Sequence, residues 1–323
     1  MGHVHKLEQM YLLIKYGMDN LLNFTKKMTK HLSILKNAGE GSITYYTGNK
    51  FEHVSHLKNC TLISNQQFKG LKNVNQIVTE DPQLYFYKLS SEYKEDYLDN
   101  DSLEFNLHYK AYIHKDAQIG NNVKIGAGSI IGNCIIENDV NIHCNVVVYA
   151  KSYIKSGTII ESNTTIGGTG VMWVWDKNKR VYLEQLGNVI IGSNCRIGSQ
   201  CQIVRGSANE STVIGEGTCM AHWTLIGHGS QIGKYVHMAN GVKLGGSVVI
   251  SDYNFIGSGA IISARVKLLA NDIILGSGSV ATKDLTTPGV FVGAPAKFIK
   301  KSTGKLSGVP TWRKLWKKIL KRF

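Results

Sequence analysis

Aliphatic residues recur every six positions along most of this chain. Ile214, Met220, Ile226, Ile232, Met238, Leu244, Ile250, Ile256, Ile262, Leu268, Ile274 and Val280 form one unbroken series. The same step runs through Ile113, Ile119, Ile125 and Ile131, through Ile142, Val148, Ile154, Ile160 and Ile166, and through Ile191, Ile197 and Ile203. A helix repeats near 3.6 residues and a strand near 2, so neither element alone produces the pattern. A fixed six-residue period predicts a solenoid, the hexapeptide parallel β-helix, in which each rung supplies a short strand with its aliphatic side chain inward. Three rungs close a coil of eighteen residues. Glycine follows the inward position at Gly120, Gly126, Gly132, Gly192, Gly198, Gly215, Gly227, Gly233 and Gly257, as a tight corner requires. Strands of a sandwich would instead alternate apolar and polar residues between turns of variable length.

The expected class is therefore mainly β: a left-handed parallel β-helix over 106–300, with a small N-terminal α/β domain and a C-terminal basic helix. Residues 1–30 read as a weakly amphipathic helical extension to which no chemistry is assigned, with Met28 an alternative start. Across 31–105 the six-residue period is lost and short β-like runs such as Ser42 to Tyr46 and Thr61 to Ile63 alternate with Gly and Asn. Two interruptions break the solenoid. The longer, Gly167 to Gly187, contains Trp173 and Trp175; the shorter places Ile203 and Ile214 eleven residues apart instead of six. Loops of the longer kind in compact domains usually carry function.

The formal charge of +14 suggests nucleic acid until its distribution is examined. Ten Lys or Arg and no acidic residue fall between Lys297 and Phe323, so the body is nearly balanced and a nucleic-acid partner is not expected. After Pro310, Trp312, Leu315, Trp316, Ile319, Leu320 and Phe323 recur at helical spacing among those cations, which predicts a basic amphipathic helix over 301–323. No apolar run reaches the length of a membrane span and no signal-peptide layout is present, so a cytoplasmic location is expected. Of the six cysteines, five lie in the repeat region and none forms a CxxC pair; they are expected as reduced core residues.

Residues eighteen apart stack at about the 4.8 Å inter-strand spacing, which sets His228 beneath Gly246. A histidine beside a backbone N–H one coil above pairs a general base with an oxyanion donor, as acyl transfer needs. Read alone, a histidine on a solenoid corner is more often a solvated side chain. A zinc site from His222, His228 and His237 would need convergence across a subunit boundary, and no supporting carboxylate pattern accompanies them. No metal is expected.

The stretch RGSANESTVIGEGTCMAHWTLIGHGSQIGKYVHMANGVKLGGSVVI, Arg205 to Ile250, resembles the core of the UDP-3-O-acylglucosamine N-acyltransferase family of hexapeptide acyltransferases. The resemblance implies that His228 is the catalytic base and that the Gly246 N–H holds the oxyanion. SITYYTGNKF, from Ser42 to Phe51, is similar to the family's uridine-binding segment, which would make Tyr45 and Phe51 the rings that clamp the base; by spacing alone they would be plain core. It further implies a homotrimer, a UDP-linked amino-sugar substrate, and a phosphopantetheine thioester donor on acyl carrier protein, with no permanently bound cofactor. Trp173 and Trp175 would close the groove between subunits.

Three positions depart from the family. Gly48 replaces an Asn that contacts uracil, with Asn49 next to it as a substitute; Ala221 replaces an Asp; and Arg265 replaces a second histidine. Arginine is no base at neutral pH, but it stabilises an oxyanion or a phosphate. Thr286 to Lys301 also resembles the closing motif of acetyl-CoA-dependent acetyltransferases, in which Lys297 would contact the donor. An acidic carrier protein would instead use the basic helix, Arg313 included. That helix otherwise serves packing or peripheral membrane contact. Two alternatives thus stay open: an acetyl-CoA-dependent amino-sugar acetyltransferase for surface polysaccharide, and an inactive UDP-sugar-binding trimeric scaffold.

Overall fold

The computed structural model describes residues 31–93, 105–108 and 110–302. The helices expected over 1–30 and after Pro310, with Arg313, lie outside the described residues. The chain divides into two compact units.

The first unit gathers the N-terminal segment together with Val171–Leu186 and Ser207–Glu210. Its centre is a parallel sheet in the order β1 (His31–Leu32), β2 (Ser42–Tyr46), β3 (Cys60–Ser64), β4 (Val74–Val78), followed by helix α1 (Pro82–Glu92). Alternation along β2 divides its side chains between two cores. Ile43 and Tyr45 join Ile63, Ile77, Tyr85, Phe86 and Leu89 on the helix side, whereas Tyr46 joins Val54, Leu57, Leu62 and Phe68 on the other. Both solenoid interruptions belong here, a grouping that differs from the boundary expected at residue 105. Their apolar residues Leu183, Leu186 and Ala208 are buried in the helix-side core, which is why they left the six-residue pattern. The longer interruption is an antiparallel hairpin, Trp173–Asp176 paired with Lys179–Tyr182, rather than a loop.

The second unit is the parallel β-solenoid. Among the described residues its rungs, with one antiparallel strand added at each end of the solenoid, form three sheets of eight, ten and ten strands, and successive coils pair in register, as Cys219↔His237 and Met220↔Met238 illustrate. Most strands are two residues long, the first facing out and the second buried in one continuous core. Three residues beyond the inward aliphatic the backbone turns left-handed, at Asn122, Asn145, Asn163 and Asn194 as well as at Gly217, Gly241 and Gly259. The glycine immediately after the aliphatic has a different reason. A Cβ on Gly215 would lie 2.4 Å from the backbone of Gly233, and one on Gly227 2.5 Å from Gly245. These glycines admit the next coil; they do not supply the turn.

Two sequence expectations are corrected. Ile274 and Val280 are not the inward residues of their rungs, because the pairing shifts to Ile256↔Leu275 and Ile262↔Ala281. One extra residue in the turn after Leu268 produces the slip, and Leu275 and Ala281 are the buried members. Among the cysteines, Cys134, Cys195 and Cys201 are buried, but Cys144 is exposed and Cys219 half-buried. Cys144 sits on a corner and Cys219 holds the outward position of its strand. Burial pushes the Cys134 thiol up to about 12 and Cys195 to about 11, which removes both as nucleophiles at neutral pH.

Candidate active site

The six-residue arithmetic places His228 two positions beyond the buried Ile226, on the corner that follows strand Leu225–Ile226. Gly246 occupies the same corner one coil above. A Cβ built on Gly246 would fall 2.3 Å from His228 Nε2, so the imidazole fills the space where a side chain at 246 would start. The backbone locks the stack: the Ser247 N–H donates to the His228 carbonyl at 2.6 Å, and the Arg265 N–H donates to the Gly246 carbonyl at 2.8 Å.

The Gly246 N–H differs from those at three equivalent corners, although others, such as those of Glu216 and Ser258, share its lack of an acceptor among the described residues. At the three, the N–H groups of Asn121, His222 and Lys234 donate to the Oδ1 of Asn138, Asn240 and Asp252 in the following coil. Ala264 stands above Gly246 and offers no such oxygen. Among the described residues the Gly246 N–H has no backbone acceptor either. A base nitrogen thus lies beside a donor that can receive an oxyanion.

Arg265 is on the same edge, two coil spacings or about 9–10 Å above His228, exposed and itself left-handed at φ 65°. Ala221 lines a shallow depression on another face with Glu161, Arg196, Gly198 and His222. His222 Nδ1 accepts the Ser199 N–H at 2.9 Å. His237 stacks on Phe255 with centroids 5.1 Å apart, and burial lowers its pKa. Among the described residues no three His, Cys, Asp or Glu side chains converge as a metal site would require.

Two residues that sequence reasoning missed support the corner from below. Thr212 Oγ1 accepts the N–H of Gly229, next to His228, at 2.8 Å and donates to the Val204 carbonyl at 2.7 Å. Arg205, fully buried, donates through Nε to the Gly167 carbonyl at 2.6 Å and through Nη2 to Ala150 at 3.0 Å. It bolts three coils together where the insertions leave the solenoid, and desolvation lowers its pKa to about 10. The eleven-residue spacing after Ile203 was the signal that this corner is special.

In the first unit, Asn49 and Phe51 lie on one exposed loop at the carboxyl end of β2, where parallel sheets commonly bind ligands. Gln66 from the end of β3 donates to the Asn49 carbonyl at 3.4 Å, and the Phe51 ring lies over Gly70. Tyr45 is half-buried against Phe86 at 4.9 Å and Tyr87 at 6.4 Å, and no ring contact joins it to Phe51. At Gly48 a Cβ would meet the end of the Tyr46 side chain, its hydroxyl at 2.3 Å, so a larger residue there requires that ring to shift. Trp173 and Trp175 are exposed on the hairpin, and Lys297 is exposed on the closing strand Lys297–Lys300.

The chain is similar to acyltransferases in sequence and shares the β-solenoid of solved acyltransferase structures. Its curated relatives carry the name UDP-3-O-acylglucosamine N-acyltransferase. That of Coxiella burnetii is 28% identical over 320 residues, covering 91% of this chain and 86% of the relative. That of Delftia acidovorans is 30% identical over 132 residues, covering 41% and 39%. Among solved structures, LpxA from Acinetobacter baumannii matches with a TM-score of 0.53 at 27% identity, over 60% of this chain and 74% of that one. The Francisella novicida UDP-N-acetylglucosamine acyltransferase gives 0.55 at 23% identity over 66% and 78%, a likeness of fold alone. No family model matches the chain. Among the described residues no helix is long and apolar enough to cross a membrane.

Proposed function

We propose that the chain is an N-acyltransferase that moves an acyl group from a phosphopantetheine thioester on acyl carrier protein to the amine of a UDP-linked amino sugar, as in lipid A biosynthesis. The observation that carries this reading is the stack of His228 under an uncapped Gly246 N–H, in a chain whose relatives are named for that reaction. His228 takes a proton from the attacking amine. The amine nitrogen bonds to the thioester carbon, and the Gly246 N–H receives the negative oxygen. The C–S bond then breaks, leaving an amide, and the protonated imidazole returns its proton to the departing thiolate. Arg265 contributes positive charge along the same edge.

A filled solenoid core offers no internal chamber, so the donor arm lies in a surface groove completed by a neighbouring subunit of a homotrimer. Lys297, with Arg313 in the basic segment, steers the acidic carrier. Phe51, Asn49 and Tyr45 hold the uridine, a single ring stack contributing roughly 1–3 kcal/mol. The test is product mass spectrometry with UDP-3-O-acylglucosamine as acceptor and a donor panel running from acetyl-CoA to carrier proteins loaded with hydroxyacyl chains. Amide product from the loaded carriers supports the proposal. Product from acetyl-CoA alone replaces the donor, and UDP-sugar binding without product from any donor makes the chain a scaffold.

A further inference from the structure

The hairpin of the first unit carries an exposed aromatic face that the proposed chemistry does not employ. Trp173 pairs with Tyr182 and Trp175 with Arg180, so these four side chains share one side of the ribbon. Val174 and Val181 point the other way, into the unit's core. Trp173, Trp175 and Tyr182 are 39%, 53% and 50% exposed. The two indoles meet edge to face at 5.1 Å, and the Arg180 guanidinium lies over them at 4.7 and 5.3 Å. One exposed ring is ordinary, but three adjoining ones on a two-stranded ribbon mark an interaction surface. The tip adds exposed Lys177 and Lys179, while its one acidic residue, Asp176, is paired with Lys88.

We propose that this ribbon is a membrane-docking finger, which sets Trp173, Trp175 and Tyr182 at the boundary between headgroups and acyl chains of an anionic bilayer. Trp and Tyr concentrate at that boundary because each has an apolar ring and one polar atom that stays hydrated. Lys177, Lys179 and Arg180 match the negative headgroups beside them. A purely apolar partner would leave these cations desolvated and unpaired, and an anionic polymer would not require the rings. Anchorage of the opposite face in the core fixes the rings before contact, so little ordering entropy opposes docking. The inference rests on the hairpin alone and does not depend on the proposed acyl transfer.

The test uses the full chain with Trp223, Trp312 and Trp316 changed to Phe, which leaves Trp173 and Trp175 as the only indoles. The probe is a vesicle of brominated phosphatidylcholine containing about a quarter phosphatidylglycerol, an anionic surface of the kind that attracts basic segments. Indole emission is expected to be quenched on these vesicles and far less on phosphatidylcholine alone. K177Q with K179Q should weaken partitioning roughly 25-fold, the effect of removing two cations at such a surface. Co-sedimentation without quenching would assign membrane binding to the basic segment and overturn the proposal. So would quenching that UDP-N-acetylglucosamine abolishes, which would place the indoles in an acceptor pocket, or loss of oligomer in W173S/W175S, which would make the face a contact between copies of this chain.

Discussion

Adding one methyl group at Gly246 separates the catalytic reading of the His228 corner from a purely structural one. In Gly246→Ala the new carbon would lie 2.3, 2.7 and 2.8 Å from Nε2, Cδ2 and Cε1 of His228. Ordinary contact begins near 3.4 Å, so the ring must retreat by about an ångström. The obstacle is the end of a side chain, so the backbone need not move and the solenoid survives. Displacing a reacting group by about that distance lowers a rate about 100-fold, or about 2.7 kcal/mol in the barrier. Gly245→Ala is the contrasting neighbour. Its carbon would meet the backbone of Ala264 at 2.5 Å, which cannot swing aside, and overpacking of that kind costs about 1–3 kcal/mol of stability. Thiol release and thermal unfolding on both variants provide the assay: Gly246→Ala should lose kcat with an unchanged melting temperature, and Gly245→Ala should melt earlier. A Gly246→Ala enzyme with kcat within a factor of about two of wild type would refute the reasoning, since its imidazole would have tolerated the displacement.

Arg205→Ala should lower unfolding stability in denaturant titrations by about 3–5 kcal/mol, because it opens a cavity and removes the hydrogen bonds to the carbonyls of Gly167 and Ala150. Thr212→Val should strip the Gly229 N–H of its acceptor and reduce kcat about tenfold with little change in KM, while Thr212→Ser restores the rate. His237 makes stability depend on pH. Its folded pKa lies below the unfolded value near 6.5, so the unfolded chain binds more protons, and the stability present above about pH 6.5 is lost as pH falls. Melting scans between about pH 7.5 and 5.5 should show a smaller decline in His237→Phe, which retains the stack on Phe255.

What the sequence disclosed and what it hid follow from the range of each interaction. The β-helix was legible because its core repeats locally, and the meeting of His228 with Gly246 followed from counting one coil. The slip after Leu268 was not legible. Ile273, Ile274 and Leu275 are all aliphatic, so one inserted residue leaves the six-residue series apparently intact while a neighbour takes the core position. The tight fit at Gly48 depends on where the Tyr46 ring packs, a tertiary fact without periodic trace. Trp173 to Asp176 alternates exposed and half-buried positions like any strand of a ribbon, yet its buried partners lie in α1 and at Leu183, too distant in sequence to be inferred. Arg205 read as one letter of a motif; only the fold reveals that its guanidinium spans to carbonyls 38 and 55 residues away.

The central claim is that His228 is the base of an acyl transfer beneath the Gly246 N–H. The most direct measurement is single-turnover amide formation by wild type and His228→Ala, using a hydroxyacyl carrier donor and UDP-3-O-acylglucosamine, with oligomeric state followed by light scattering. The account predicts a fall of at least about 100-fold in the variant, within the range that a positioned general base supplies, with the assembly unchanged. Turnover that survives the substitution in an intact assembly would contradict it.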